Sequence, residues 1–477
     1  MIKDFLFLSP EIFVFCVGIF VLIADLVVPI NIKRKLLDVG LFGLLLGLLV
    51  VIMYFGTTKW LFGNSIVMDP FSTYFKIIII VCSIFVLLLS KDFKILPDSK
   101  IGEYSILVVF ATLGMMFMVS SNELLMIYLS IEFVSITFYI LVGFLRSDLK
   151  SREGSLKYFL LGAFSSAIFI YGASLLIGIT HSSNLFAIAN WVKDNGVSLL
   201  FLVSLLLMLV GFGFKIAMVP FHMWAPDAYE GAPTPITAFL SVASKVAGLA
   251  ILIRTFMVIL GGYEKINLIL AVLSAVTMTV GNLIAISQNN VKRLLAYSGI
   301  AHIGYILIGF VTFSLLGIQS VLIYTLAYLF MNIGAFSIVI AIYNKIGSDD
   351  IRDYRGLSLK NPILSLVFVL FLLSLAGIPP TAGFLGKFFV FASAIEGGFI
   401  WLAIIGILNS VIALYYYFRI VYQIYFVKPK DEIDIKMSLS LIIPVGISAI
   451  MVLVICIFPE FFINLAKESA RYFSGVF

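Results

Sequence analysis

Four ionisable residues lie deep inside long apolar runs of this sequence. Lys215, Lys245 and Lys387 are flanked on both sides by apolar or small residues, and Glu132 lies near the middle of its own run. A charge at the centre of a membrane helix costs about 2.5–3.5 kcal/mol, so such a residue usually faces a bundle interior or water and marks an ion path. We interpret these four as functional residues. The alternative is a static Glu–Lys pair that pins two helices.

Proton relay is the chemistry that suits these residue types. Desolvation lowers the proton affinity of a lysine and a nearby carboxylate raises it again, so movement of the carboxylate would switch the lysine between holding and releasing a proton. A row of Lys215, Lys245, His302 and Lys387 would pass protons through intervening water along the middle of the membrane. For His222 two interpretations stay open, a relay member or a hydrogen-bonded residue that satisfies a broken helix.

The composition requires that these residues sit on membrane helices. Of the 477 residues, 62% are hydrophobic and 12% are charged, which is typical of an integral membrane protein. Runs of roughly 20 apolar residues are each long enough to cross a hydrocarbon core about 30 Å thick. The fold class predicted is therefore an all-α polytopic membrane protein with about fourteen transmembrane helices. The runs lie near 10–30, 37–55, 69–90, 103–120, 122–145, 153–180, 197–225, 234–260, 265–287, 290–313, 315–344, 361–396, 398–427 and 437–458.

Basic residues collect in alternate loops. One side of the membrane holds 19 lysines and arginines in its loops and the other side holds 6, out of 31 in the chain. Because basic loops stay in the cytoplasm, we predict that both termini lie on the outer side. The net charge of +6 is then explained by topology, without nucleic acid as a partner.

Several other charged residues have plainer interpretations. Lys76, Arg254 and Arg419 fall near helix ends, where long side chains can snorkel to the membrane surface. Asp227 and Glu230 follow the run that carries Lys215, and we expect them to cap the helix that comes next.

Two of the long runs are interrupted. Pro220 follows Lys215 and removes a backbone donor, so its helix is predicted to kink or unwind near residues 218–221. A second interruption precedes Lys387, at Gly377, Pro379, Pro380 and Gly383. Freed backbone groups at membrane depth are tolerated where they line a cavity, and paired interrupted helices are typical of transporters built from repeats.

The spacing of the candidate residues also indicates a repeat. Lys387 follows Lys215 by 172 residues, and His302 follows Glu132 by 170. Asn122 and Asn290 are each predicted to open the helix of one member of the second pair. We therefore divide the chain into N-terminal helices 1–3, a first five-helix repeat, a second five-helix repeat, and a last helix with its tail. The corresponding ranges are 1–102, 103–262, 263–428 and 429–477.

The sequence offers no pattern for a redox cofactor or a metal. Cys16, Cys82 and Cys456 lie far apart in apolar runs, without the close spacing of a metal or iron–sulfur site. The stretch GFGFKI lacks the third glycine of a dinucleotide fingerprint. We expect no flavin, nicotinamide, haem or iron–sulfur cluster in this chain.

Three stretches carry a resemblance to a known family. KIAMVPFHMWAPDAYEGAPTPITAFLSVASKVAG, NVKRLLAYSGIAHIGYIL and SLAGIPPTAGFLGKFFVF resemble the subunit N family of the bacterial proton-pumping NADH-quinone oxidoreductase, respiratory complex I. The resemblance covers essentially the whole chain. It implies fourteen helices, two inverted five-helix repeats, and discontinuous helices 7 and 12.

The resemblance also implies roles. Glu132 and Lys215 match the pair on helices 5 and 7, Lys245 the connecting lysine on helix 8, and Lys387 the residue on helix 12. NADH, FMN, iron–sulfur clusters and quinone are then expected in or with partner subunits. Those partners are other antiporter-like and small helical membrane subunits in the bacterial inner membrane.

Three alternatives stay open. The chain could belong to a Mrp-type cation/proton antiporter, for which weaker agreement around residues 377–389 is expected. It could be subunit N of a related complex whose donor is not NADH, for example reduced ferredoxin. A purely structural membrane subunit would share the fold without needing ionisable residues on the mid-plane.

Overall fold

The protein is a bundle of membrane-spanning helices. The structure, a computed structural model, describes residues 2–261, 265–429 and 434–475. Among these residues, thirteen helices are long and apolar enough to cross a membrane. A further crossing is made by two shorter helices, Pro362–Ala376 and Ala382–Glu396. The chain is an all-α multi-pass membrane protein with fourteen spans in its described part, and the predicted fold class is confirmed.

We number the spans 1 to 14 in chain order. Spans 1–6 are Ser9–Val27, Leu36–Met53, Pro70–Asp92, Ile101–Ser120, Leu124–Val142 and Leu149–Thr180. Span 7 consists of Leu199–Ile216 and Trp224–Gly231, and span 12 of the two shorter helices given above. Span 8 runs through Thr234–Phe239, a π-helical turn Leu240–Ser244, and Lys245–Leu260. Spans 9–11, 13 and 14 are Lys265–Ile286, Val291–Val311, Leu315–Ile346, Ile400–Phe426 and Leu439–Ile457.

The remaining elements are short. Two antiparallel strands, Lys59–Leu61 and Ile66–Met68, form a hairpin in the loop after span 2, with Trp60 opposite Val67. Short helices are Ile2–Phe7, Leu185–Asn195, Leu357–Lys360 and Pro459–Ala470, and single 3₁₀ turns are Ile30–Lys35, Asp98–Lys100, Ile351–Tyr354 and Arg471–Gly475.

Spans 8, 10 and 11 form the centre of the bundle. The hydrophobic window of span 8 is entirely buried and those of spans 10 and 11 are 94% buried, whereas that of span 1 is 33% buried. Spans 9 and 10 approach each other through glycine. A Cβ added at Gly281 would lie 2.7 Å from Ala301 N, and one at Gly304 would lie 2.6 Å from Met278 N. Close backbone approach through small residues is how membrane helices gain packing contact.

Both predicted helix breaks are present. In span 7 the helix ends at Ile216, and Ala217 adopts a left-handed conformation with φ 58°. In span 12 the helix ends at Ala376 and Gly377 is left-handed, with φ 87°. The break in span 7 therefore begins just before the predicted residues 218–221, because Pro220 lacks the N–H that would bond Ile216 O and its ring would clash with that carbonyl.

The two predicted repeats share one backbone feature in opposite orientation. At the start of span 5, Leu124 N donates to Ser183 O (2.9 Å); at the start of span 10, Val291 N donates to Asp349 O (2.8 Å). Span 10 begins on the side with the basic loops and span 5 on the opposite side, so the bridges are related by inversion. The predicted repeat boundary at 262/263 lies outside the described residues. Lys430, one of the 19 basic residues counted in the loops of one side, also lies outside them.

The asparagines predicted to open spans 5 and 10 have different roles. Asn290 caps its helix, accepting bonds from Lys292 N and Arg293 N. Asn122 does not, because Glu123 is the residue that precedes the first helical turn and the Asn122 amide donates to Asn64 O instead. That prediction was right for span 10 and wrong for span 5.

Two of the three charges expected to snorkel are buried ion pairs instead. Lys76 Nζ lies 2.5 Å from Glu11 Oε1, and Arg254 binds both carboxylate oxygens of Asp69. All four side chains are at most 2% exposed. Arg419 does reach a helix end, where its guanidinium donates to Ile286 O and Gln288 O. The expectation was wrong for the first two because each has an acidic partner on a distant part of the chain.

Candidate functional site

Glu132 and Lys215 lie close together but do not form an ion pair. Lys215 Nζ donates to Ser135 Oγ (3.1 Å), and Glu132 accepts a hydrogen bond from Ser166 Oγ. Both residues line one cavity of about 10 Å³, which is the room that a single water molecule needs. Lys215 is 1% exposed. The static pair considered as an alternative is therefore not what the structure contains, and each of the two side chains is hydrogen-bonded to a serine instead.

Lys245 is fully buried in the middle of the bundle, directly after the π-helical turn of span 8. Its Nζ lies 5.4 Å from the centroid of the Tyr229 ring and has no hydrogen-bond partner among the described residues. A Cβ added at Gly299 would lie 2.9 Å from Lys245 Nζ and 2.9 Å from Tyr328 Oη. Because Gly299 has no side chain, two buried polar groups can lie close to its backbone.

His302 is held between two tyrosines. Its Nδ1 lies 2.8 Å from Tyr324 Oη and its Nε2 lies 3.3 Å from Tyr417 Oη. Tyr417 is in turn hydrogen-bonded to Ser298, one turn before His302 on span 10. Both ring nitrogens have a hydroxyl partner that can donate or accept, which is the arrangement that a proton-passing imidazole requires.

Lys387 lies at the break in span 12. Its Nζ donates to the freed carbonyl of Ala376 (2.7 Å) and lies 4.5 Å from the centroid of the Tyr305 ring. In span 7 the corresponding lysine does not bind the break. There Trp224 Nε1 donates to Phe214 O (3.0 Å). The two lysines, similar in sequence position, therefore have different partners in the structure.

His222 lies in the break of span 7 and is 6% exposed. Its Nδ1 has no hydrogen-bond partner among the described residues. Two other side chains bind the backbone at this break. Trp224 donates to Phe214 O as described, and Thr277 Oγ1 accepts from Val219 N (3.2 Å). Of the two interpretations of His222, a relay member and a helix-satisfying residue, the structure tests neither directly.

Asp227 and Glu230 do not cap the next helix. Pro233 precedes that helix and provides no side-chain cap. Instead Arg293 Nη1 binds Asp227 (2.6 Å) and Glu230 (2.8 Å). Two lysines of span 6 bind the same acids, Lys157 to Asp227 (2.7 Å) and Lys150 to Glu230 (2.8 Å). These ion pairs join spans 6, 7 and 10, and the prediction that the two acids cap the next helix was wrong.

The candidate residues form one row through the bundle. The stem of Lys215 packs against Gly248 of span 8, one turn beyond Lys245. From Lys245 the row continues past Gly299 to Tyr328, whose ring centroid lies 5.3 Å from that of His302. The His302 and Tyr305 ring centroids are 5.9 Å apart, and Tyr305 contacts Lys387 as described above. The structure thus brings Lys215, Lys245, His302 and Lys387 together, with Glu132 at one end.

The small polar residues and tyrosines that connect this row were not among the predicted site residues. Ser135 lies one turn after Glu132, and Ser298 lies one turn before His302. A hydroxyl one helical turn from an intramembrane ionisable residue was the signal that could have found them. The tyrosines of other spans had no such local signal.

Comparison with known proteins identifies the family. Residues 121–413 match the family model described as NADH:quinone oxidoreductase/Mrp antiporter, transmembrane. The chain belongs to this family. The matched region begins just before span 5 and ends within span 13, so it contains every residue of the row.

Individual members of the NADH:quinone oxidoreductase/Mrp antiporter family match nearly the full chain. The NADH-quinone oxidoreductase subunit N of Trichlorobacter lovleyi is 40% identical over 473 residues, covering 97% of this chain and 96% of the relative. That of Moorella thermoacetica is 42% identical, covering 98% of both chains.

Solved structures of the family share the fold. A chain of respiratory complex I from Thermus thermophilus with bound aureothin superposes with a TM-score of 0.83 at 30% identity, covering 96% of this chain and 99% of that chain. A chain of the Mrp complex from Dietzia sp. has a TM-score of 0.88 at 19% identity, covering 100% and 99%. The fold is common to both branches of the family, so fold alone does not separate them.

Proposed function

We propose that this chain is the antiporter-like subunit N of a bacterial proton-pumping NADH-quinone oxidoreductase, and that it helps couple quinone reduction to proton translocation. The supporting observation is sequence identity of about 40% with subunit N of other bacteria over nearly the whole length of both chains. The row of buried ionisable groups supplies the means of moving protons.

The switch of the relay lies between Glu132 and Lys215. Each is bonded to a serine, Ser166 and Ser135 respectively, and a water-sized cavity joins them. Lysine is a compact charge on a flexible stem, so a small movement of either side chain exchanges a serine partner for the opposite charge. Approach of the carboxylate favours the protonated amine, and its withdrawal favours release.

Beyond this switch, protons move along the row towards Lys387. Buried polar groups are normally hydrogen-bonded, by protein or by water. Lys245 Nζ, Tyr229 Oη and Ser244 Oγ have no protein partner among the described residues. Water between them would satisfy these groups and connect Lys245 to His302 past Gly299.

NADH oxidation, FMN, iron–sulfur clusters and the quinone site belong to other subunits, and this chain carries no redox centre. Its partners are the other antiporter-like and small helical membrane subunits. The complex lies in the bacterial inner membrane with both termini of this chain on the outer side, as the 19-to-6 distribution of basic loop residues favours.

A Mrp-type antiporter subunit is the second candidate, because the fold of such a subunit is matched equally well. The sequence favours subunit N, since the Mrp neighbour shares 19% identity and the subunit N relatives about 40%. Mass spectrometry of the native complex separates the two. Co-purifying flavoprotein and iron–sulfur subunits support the oxidoreductase, and a complex without them overturns it.

Lys215→Ala tests the relay. In an assembled complex reconstituted into vesicles, we expect proton pumping and coupled quinone reduction to fall by about 100-fold, the lower range for a positioned proton-transfer group. Lys215→Arg should recover little, because a guanidinium stays protonated and cannot relay. Lys193→Ala, which removes an exposed lysine of the outer loop helix, is the matched control and should pump normally. Full pumping by assembled Lys215→Ala would overturn the relay.

A double-mutant cycle tests whether Glu132 and Lys215 act as a unit. Glu132→Gln alone should impair pumping, and Glu132→Gln combined with Lys215→Ala should cost little more than Lys215→Ala alone. Losses that simply add in free energy would mean that the two residues act separately, although each still contributes to pumping.

A further inference from the structure

A groove of about 420 Å³ lies between spans 4, 5 and 6 on the side of the basic loops. The start of span 4, the end of span 5 and the start of span 6 form its walls. Among the described residues, its lining contains no ionisable member of the row, that is, Glu132, Lys215, Lys245, His302 or Lys387. The groove is therefore a separate feature of the surface, and the proton relay assigns no role to it.

The charges of this groove are mainly positive. Lys100, Arg146 and Arg152 line it together with one acid, Glu103. In the described part of the chain, the side chains of the three basic residues form no ion pair and no hydrogen bond. Other basic residues on the same side do have acidic partners, and examples are Arg34, Lys91, Lys150 and Arg293. The groove thus collects three cations that no described acid binds.

Helix capping does not explain these cations. Two serines of span 6 bind the last carbonyls of span 5. Ser151 Oγ donates to Val142 O (2.7 Å). Ser155 Oγ donates to Tyr139 O (2.7 Å). Basic side chains often bind the free carbonyls at the end of a helix, but here serines bind them. The guanidinium of Arg146, just beyond span 5, is therefore available to a ligand.

The walls of the groove become apolar away from the charged rim. Leu107 follows Lys100 by seven residues at the start of span 4, and Phe159 follows Arg152 by seven residues on span 6. At 1.5 Å per residue, each helix passes from a basic to an apolar lining residue within about 10 Å. The side chains of Ile140 and Phe159 are exposed. The groove therefore opens sideways, towards the space that a membrane fills.

The gradient from cations to apolar side chains matches an anionic phospholipid. Such a lipid has a phosphate at the level of the membrane surface and acyl chains directly below it. Basic pockets between membrane helices bind anionic head groups, and the planar guanidinium of arginine matches the oxygens of a phosphate. A free phosphate ion would leave the apolar wall uncovered, and a zwitterionic lipid would bring its own cation to the basic rim.

We propose that this groove is a binding site for an anionic phospholipid, with the phosphate between Arg146 and Arg152 and an acyl chain against Phe159. The lipid then lies beside the proposed relay. Tyr139 lines both this groove and the small cavity beside Glu132, and its ring centroid lies 5.6 Å from that of Phe159. The proposal concerns binding, and it stands whether or not the row moves protons.

Photolabelling of the intact complex tests the site. The complex is placed in phosphatidylcholine nanodiscs with a small fraction of phosphatidylglycerol or phosphatidylcholine that carries a diazirine on one acyl chain. Labelling of residues 139–159 is measured by mass spectrometry. One basic residue near the membrane surface contributes about fivefold in affinity for an anionic lipid, and the groove has two more basic than acidic residues. We expect phosphatidylglycerol to label these residues roughly 25-fold more than phosphatidylcholine. Equal labelling by the two lipids would overturn the proposal.

Charge variants locate the phosphate. Arg146→Gln and Arg152→Gln should each lower the preference for phosphatidylglycerol about fivefold, and Glu103→Gln should raise it about fivefold. Lys428→Gln is the matched control, because it removes an exposed cation on the same side but outside the groove. Its preference should stay within about twofold of the native value, since salt screens charges over about 8–10 Å. A change in Lys428→Gln as large as in the arginine variants, or no change in any groove variant, would overturn the site.

The other candidate occupant is an acidic segment of another subunit. A benzophenone attached at Leu156→Cys, on the groove wall, reports which of the two is present. Crosslinking to phosphatidylglycerol supports the lipid site. Crosslinking to another subunit, with no labelling of residues 139–159 by either lipid, would overturn it. All variants are compared at equal amounts of assembled complex.

Discussion

The ion pair between Asp69 and Arg254 allows a quantitative test of how span 8 is held. Arg254 Nη1 and Nη2 donate to Asp69 Oδ2 and Oδ1 at 2.7 and 3.0 Å, and both side chains are fully buried. The guanidinium also lies 5.2 Å from the Phe71 ring centroid and 4.8 Å from that of Tyr472. The pair thus joins spans 3 and 8 and the C-terminal turn Arg471–Gly475.

Asp69→Asn removes the negative charge of the Asp69 side chain and keeps its size. Asparagine caps helices as well as aspartate does, so the bond from Ser72 N at the start of span 3 should be retained. The guanidinium, however, loses its counter-charge in a dry site, which costs about 3–5 kcal/mol. Arg254→Met should cost less, about 3 kcal/mol, because the carboxylate keeps the Ser72 amide and the favourable field of a helix N-terminus. Removing both partners should cost less than either single change.

Hydrogen–deuterium exchange of the purified complex measures these costs locally. At about 1.36 kcal/mol per factor of ten, about 3–5 kcal/mol corresponds to roughly 150- to 5,000-fold faster exchange of the backbone amides of residues 71–75 and 471–475 in Asp69→Asn. Lys91→Met is the control, because it breaks the exposed pair with Asp38 and should change exchange less than about fivefold. Less than fivefold acceleration in Asp69→Asn, or a double variant whose loss equals the two single losses added, would refute the reasoning.

Two further changes test the packing of the row and the break in span 7. Gly299→Ala would place a methyl carbon 2.9 Å from Lys245 Nζ, at an overpacking cost of about 1–3 kcal/mol, and should slow pumping by the assembled complex. Gly178→Ala is the control, because nothing lies within 4 Å of its added methyl carbon, and equal pumping by both variants would contradict a role for Gly299. Trp224→Phe removes the donor to Phe214 O and should lower the free energy of unfolding of the complex by about 1 kcal/mol. The measurement is the midpoint temperature of thermal inactivation, and an unchanged midpoint temperature would mean that water replaces the indole N–H.

Local patterns in the sequence were sufficient to predict the spans and to find the ionisable residues within them. Hydropathy located the helices because the membrane requires a minimum apolar length. Lys215, Lys245 and Lys387 were found because a charge within such a length is costly wherever the helix packs. The helix breaks near Pro220 and Pro379 followed from proline chemistry, although the residue that ends each helix was not specified by it.

Pairings between distant spans were beyond this kind of reasoning. Arg254 and Asp69 lie 185 residues apart, and nothing local to either indicates the other. Snorkelling was predicted from the distance to a helix end alone, and that distance carries no information about an acid on another helix. The tyrosines that hold His302 were missed for the same reason, because they come from spans 11 and 13.

The π-helical turn Leu240–Ser244 means that chain length, rather than side-chain identity, aims the amine of Lys245. Each residue turns an α-helix by about 100°, and a π turn holds one extra residue within a single turn, so the helices on its two sides stay in phase. Deleting one of these five residues should therefore restore a regular helix and leave Lys245 facing Gly299. Straightening the turn at unchanged length would instead rotate Lys245 about a quarter of a turn away from Gly299. Variants that lose a single codon here should therefore pump better than variants that gain one.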